Sequence, residues 1–210
     1  MPELPEMPGN GQPALQDLAV ALDRRIDACM NRRRATHSRS VADLAAGLCL
    51  RNGLDPLAGS VAGLAHDLCK EFDRAMQEGL ARSWAQRSGL GQRISALLGG
   101  ALMHGPAAAE LLASEYGLED SDILEAVAFH TVGAPGMGAL AQIVYAADKL
   151  EPGRRHVDAA FRESCLALPP DELFSEVLSD SVRWLLKEGL PIEEGSLAMY
   201  HAIRKRKPKP

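Results

Sequence analysis

The chain has 210 residues, 46% hydrophobic and 24% charged, with 4% aromatic side chains and a formal net charge of -5. Arg204, Lys205, Arg206, Lys207 and Lys209 crowd the last seven positions, so the body before them is more acidic than the total suggests, a poor surface for nucleic acid. No run approaches the roughly 20 apolar residues of a membrane span, and no basic segment followed by an apolar one opens the chain, so no membrane or export role is expected. The length suits one core, and a composition rich in Ala and Leu favours an all-α array. Residues 1-13, with four prolines and two glycines, read as a disordered leader, 14-203 as the domain, and 204-210 as a basic tail whose expected state is a solvated end. Cys29, Cys49, Cys69 and Cys165 form no C-x-x-C pair and fall in predicted helices, which points to reduced thiols in a cytoplasmic protein.

The 3-4 spacing of Leu15, Leu18, Leu22, Ile26 and Cys29 predicts a first helix to about Met30. A second carries His37, Val41, Leu44, Ala45 and Leu48 on one face, with Arg34 one turn before His37, and stops near Asn52-Gly53. Asp55-Pro56 reads as a cap and first helical residue. The helix it opens runs apolar through Val61, Ala62, Leu64 and Ala65 until His66 and Asp67 interrupt it, and Lys70 should follow one turn later on the same side. An unpaired carboxylate in such a setting is expensive, so Asp67 should be coordinated or hydrogen-bonded. The stretch from Phe72 to Leu98 is helical but broken by Gly79, Gly89 and Gly91.

Pro106 should begin a helix running to Tyr116, leaving His104 just before its positive end. A further helix, Ile123 to Phe129, ends at His130-Thr131 and is followed by a glycine-rich turn, Gly133 to Gly138. That turn lacks the Gly-Lys-Ser/Thr ending of a P-loop. The apolar run Leu140 to Ala147 is interrupted by Asp148, a second carboxylate in need of a partner, and Arg154 lies just past the break at Glu151-Pro152-Gly153. Helices near 158-166, 171-187 and 196-204 complete the array.

His37, His66, Asp67, His104, His130 and Asp148 thus all stand on apolar helices or at their ends, which favours a metal site. Two His and two Asp, the ligand set that the resemblance described next implies, suit iron, manganese, cobalt or zinc, with positions left for water and a phosphate oxygen. In this order the set resembles the HD-domain metallophosphohydrolases. The strings Arg34-Ala35-Thr36-His37-Ser38, Ala62 through Glu71, Phe129 through Gly133 and Tyr145 through Arg154 resemble more closely the YqeK-type bacterial HD proteins, over roughly residues 23-200.

That resemblance implies a single HD domain and a symmetrical hydrolase of diadenosine tetraphosphate and related dinucleoside polyphosphates, releasing two ADP through water activated at a metal, with iron as the expected ion. Carried over by position, it makes His37, His66, Asp67 and Asp148 the metal ligands. Arg34, Lys70, His104, His130, Thr131, Arg154 and Ser196 become contacts to the nucleotide and its phosphates, with Asp67, Lys70, His104 and His130 in the chemistry. One ion with both outer histidines on phosphate is the favoured arrangement. A binuclear site, with His104 and His130 holding a second ion bridged by Asp67, is the alternative, as is a histidine that protonates the leaving ADP. Where the family has Thr followed by Arg-Asn, this chain has Ser196 and then Tyr200-His201, so those two are candidate contacts only. Another HD-type nucleotide phosphohydrolase, or a non-catalytic nucleotide-binding module, are the rival readings. A homodimer is compatible with either.

Overall fold

Asn31, Asp55, Asp73, Asp120 and Asp158 each turn a side-chain oxygen onto backbone N–H groups at the start of a helix, a cap worth about 1 kcal/mol apiece. The computed structural model describes residues 13–89, 102–133 and 136–206. Among these are ten helices and no strand: α1 (Leu15–Cys29), α2 (Arg32–Arg51), α3 (Pro56–Ala65), α4 (Arg74–Arg87), α5 (His104–Glu115), α6 (Ser121–Phe129), α7 (Ala139–Leu150), α8 (Ala159–Leu166), α9 (Pro170–Lys187) and α10 (Glu194–Arg206). The fold is all-α, as expected. No helix of the described residues is long and apolar enough to cross a membrane.

The short helix α3 lies at the centre, touched by α1, α2, α6 and α7. Its last five residues, from Val61 to Ala65, are all buried, so it has no polar face to show to water. Around it α4 packs on α5, α5 on α6, α6 on α7, and α7 on α9, which in turn holds α8 and α10. The buried side chains form one contiguous core from Leu18 to Tyr200.

Two boundaries differ from expectation, and both differences bear on the site. Helix α3 stops at Ala65, and residues 66–71 continue as tight turns with i to i+3 bonds, Leu68 N–H to Ala65 O and Lys70 N–H to Asp67 O, each about 3 Å. Three residues per turn eclipse positions i and i+3, so Lys70 comes to stand over Asp67 rather than one turn beyond His66. Helix α5 begins at His104 and not at Pro106, which puts His104 inside the first turn and fully buried. The leader expected over residues 1-13, the glycine break at Gly91 and the final residues 207–210 of the basic tail fall wholly or mainly outside the described residues, as do Ala134 and Pro135 of the glycine-rich turn. Gly133 and Gly136, on either side of those two, hold positive φ angles of 65° and 77°, a conformation that favours glycine.

Candidate active site

Two of the histidines end helices in the same way. His66 is the C-cap of α3 and His130 the C-cap of α6. Each turns its Nδ1 back onto a carbonyl of its own last turn, His66 to Gly63 O at 2.6 Å and His130 to Val127 O at 2.8 Å. The carbonyl can only accept, so each Nδ1 carries the proton and each Nε2 keeps a lone pair. One contact thereby satisfies an orphan helix-end carbonyl and fixes the tautomer that a metal ligand needs. His37 is oriented similarly from outside its helix: its Nδ1 meets Glu151 Oε1 at 3.1 Å.

Glycines let the helices carrying these rings come together. A Cβ on Gly63 would lie 2.4 Å from Ala42 Cα, so α2 and α3 touch backbone to backbone. That contact brings the Nε2 atoms of His37 and His66 to 3.3 Å. On the other side, a Cβ on Gly105 would lie 2.7 Å from Ala128 O, and the α5–α6 contact it permits brings the Nε2 atoms of His104 and His130 to 3.2 Å.

The donor atoms of His37, His66 and Asp148 lie within 4.8 Å of one another, and so do those of His66, Asp67 and His130. The four expected ligands therefore meet as two triads that share His66, with Asp67 grouped with His130. Asp148 Oδ1 is 3.1 Å from His37 Nε2 and 2.6 Å from Arg154 Nη2, while its Oδ2 takes a bond from Lys149 Nζ at 3.2 Å. Asp67 faces both ways: Oδ2 accepts from Arg34 Nη1 at 2.8 Å and lies 3.8 Å from His66 Nε2, whereas Oδ1 is 3.2 Å from His104 Nε2 and 3.7 Å from His130 Nε2.

Burial pushes His66 down, against the pull of Asp67 and Asp148, and takes His130 to about 3, so both rings are neutral at neutral pH. Burial opposes charge on Asp67 as well, but the surrounding hydrogen bonds, that of His104 first, outweigh it and the carboxyl falls far below its usual range. Asp148 is lowered likewise, Lys149 and His37 overcoming burial. For His37 burial is outweighed by Asp148 and Glu151, and its pKa rises. The Nε2 lone pairs of His66 and His130 thus converge in a buried setting beside two ionised carboxylates. A divalent cation resolves that arrangement, and imidazole with carboxylate suits a first-row transition ion.

Beside this cluster lies a cleft of about 770 Å³ lined by residues that include Arg32, Arg33, Arg34, His37, Lys70 and Arg154. Lys70 Nζ is 2.9 Å from His104 Nε2 and 3.7 Å from Asp67 Oδ1. Arg34 also reaches Glu71, at 3.1 Å, and Arg154 donates through Nε to the Asp148 carbonyl at 2.8 Å. Thr131 Oγ1 is buried and has no hydrogen-bond partner. Ser196 is placed differently from a ligand contact: its hydroxyl donates to the Val132 carbonyl, fastening α10 beside Thr131. Tyr200 packs in the core, and His201 lines a separate depression with Arg204 and Lys205.

Glu151, Lys149 and Glu71 were not among the expected site residues. Glu151 is 3% exposed and holds the His37 ring. Lys149 ties Asp148 to the His130 carbonyl, 3.0 Å from its Nζ, and lies 3.9 Å over the Tyr145 ring. A further carboxylate three positions after Asp148 was the one available signal for Glu151.

The HD domain family matches residues 34–153. The symmetrical bis(5'-nucleosyl)-tetraphosphatase of Halalkalibacterium halodurans is 30% identical over 173 residues, covering 81% of this chain and 88% of that protein. The protein of the same name from Staphylococcus aureus is 28% identical, with 76% and 81% covered. A crystal structure from Clostridium acetobutylicum, described as a predicted HD superfamily hydrolase involved in NAD metabolism, superposes with a TM-score of 0.72 over 94% of this chain and 100% of that one. Its identity is 23%, a likeness of fold.

Proposed function

The chain belongs to the HD-domain hydrolases, and from that premise we propose that it cleaves diadenosine tetraphosphate and related dinucleoside polyphosphates symmetrically, to two nucleoside diphosphates. The observation that carries this reading is the pairing of a buried His/Asp cluster with a cation-lined cleft directly outside it. His37, His66, Asp67 and Asp148 would hold the metal, and iron is the ion we favour. When bound, the ion supplies Lewis acidity toward a phosphoryl oxygen and makes water more acidic.

The remaining work falls to side chains. Lys70 and Arg154 hold non-bridging oxygens of the central phosphates and spread the charge that develops there. Thr131 offers its unpartnered hydroxyl to the same oxygens. Water forms the new P–O bond, the bond to the bridging oxygen breaks, and that oxygen leaves with the second diphosphate. His130, neutral and with its Nδ1 committed to Val127, offers a lone pair and no proton. We therefore assign protonation of the leaving diphosphate to His104, whose Nε2 lies 3.2 Å from Asp67 Oδ1, the geometry of an N–H donor. A second ion at Asp67, His104 and His130 is the competing arrangement, favoured by the two-sided presentation of Asp67.

Metal-loaded protein and diadenosine tetraphosphate, with products separated by ion exchange, test the proposal: ADP alone is expected. ATP with AMP would refute symmetrical cleavage, and no turnover with iron, manganese, cobalt or zinc would refute the activity. Metal content of one or two ions per chain decides between the two arrangements.

A further inference from the structure

Helix α2 opens with three consecutive arginines. The first turn is the positive end of the helix dipole, where acidic residues stabilise and basic ones do not, and α2 has no acidic residue there. Arg34 offsets its own position through Asp67 and Glu71. Arg32 and Arg33 are exposed, and among the described residues neither has a carboxylate within ion-pairing distance. Both line the same cleft as His37 and Asp67. The other cations of that cleft stand at the ligand cluster itself, Lys70 3.7 Å from Asp67 and Arg154 2.6 Å from Asp148, and serve the attacked phosphate. Uncompensated positive charge therefore sits at the exposed part of the cleft, in a protein whose net charge is -5, while the buried ligand cluster forms its floor.

We propose that Arg32 and Arg33 form a subsite for the phosphates on the leaving side of the scissile bond and set a preference for long polyphosphate chains over short ones. Symmetrical cleavage of a tetraphosphate leaves two phosphates on each side. With the attacked phosphorus at the ligand cluster beside Lys70 and Arg154, the far pair needs cations further out along the cleft, where Arg32 and Arg33 stand. An anion at this helix start also relieves the repulsion that three adjacent arginines build into it. The identity of the nucleotide ends rests on the proposed hydrolase activity; the binding of a polyphosphate chain by this pair does not.

The test is calorimetric titration of inorganic tripolyphosphate and orthophosphate into metal-loaded protein freed of excess ion, for the wild type, Arg32→Ala/Arg33→Ala and Arg32→Lys/Arg33→Lys. The double alanine variant should lose affinity for tripolyphosphate by roughly tenfold or more, the scale of two exposed charge-assisted contacts. Its orthophosphate affinity should stay within about twofold by the same reasoning, and its melting temperature should stay the same or rise, since alanine favours the helix. The lysine variant should retain most of the affinity. Equal tripolyphosphate affinity in wild type and alanine variant overturns the inference, as does an equal loss for both anions. Products from diadenosine tetraphosphate are read separately. Alongside arginine-dependent tripolyphosphate binding, ATP with AMP would remove the symmetrical reading and no turnover the hydrolase reading, and either would leave polyphosphate binding by the pair upheld.

Discussion

Gly63→Ala is the sharpest perturbation of the site that leaves every ligand in place. Its Cβ would lie 2.4 Å from Ala42 Cα, 2.6 Å from Ala42 N and 3.0 Å from Val41 C, all backbone atoms that cannot swing aside. Carbon atoms pack at about 3.5 to 4.0 Å, so α2 and α3 must part by about 1 Å. Overpacking of this kind costs about 1–3 kcal/mol, partly offset by up to about 1 kcal/mol of helix propensity gained over glycine. The larger effect falls on the site, because the same contact sets the 3.3 Å between His37 and His66, and metal–ligand distances tolerate only about 0.2 Å. Metal content after dialysis, thermal melting and turnover should all fall. Gly47→Ala is the control: it is also in α2, nothing lies within 4 Å of its Cβ, and it should keep its metal and gain slightly in stability. Unchanged metal content and melting temperature in Gly63→Ala would refute the claim that this contact sets the ligand spacing.

Glu151→Ala removes the carboxylate that orients His37 and should weaken metal binding by about 10- to 100-fold, measured by competition with a chelator, with little loss of helix content by circular dichroism. Thr131→Val removes a buried hydroxyl that has no partner within the fold; stability should hold or rise while KM for the dinucleotide increases, read from melting curves beside steady-state kinetics. Cys49 and Cys165 are pushed up to about 11 and Cys69 to about 12, chiefly by burial. A thiol reagent at pH 8 should therefore titrate one cysteine, the exposed Cys29, in native protein and four after denaturation.

Much of the site can be read from sequence because polar residues inside apolar helices are expensive. That cost marked His66, Asp67, His104, His130 and Asp148, and the structure buries them all. Gly63 escaped because a glycine in a helix reads as a weak point until the opposing backbone is known, and Gly105 because it fell ahead of a helix expected to begin at Pro106. Glu151 was masked by its setting in Glu-Pro-Gly, which reads first as a helix stop. Lys70 was expected one turn after His66 on a continuous helix; it stands over Asp67 instead, through a change from four-residue to three-residue bonding that side-chain pattern does not encode. Arg32 and Arg33 follow no apolar pattern that would mark them, and only the shape of the cleft relates them to the cluster.

The spacing of the ligands along the chain has a kinetic consequence. His37 and His66 are 29 residues apart, and His104 and His130 are 26, but His37 and Asp148 are separated by 111. Each histidine pair closes with its local helical hairpin, whereas Asp148 joins only when α7 docks across the centre of the fold, a contact of high loop-closure entropy. A half-assembled chain offers an ion two nitrogens and too few oxygens to hold it. An ion in the finished site would thus be a latch and not a nucleus: it would slow escape from the native state and leave the rate of reaching that state unchanged.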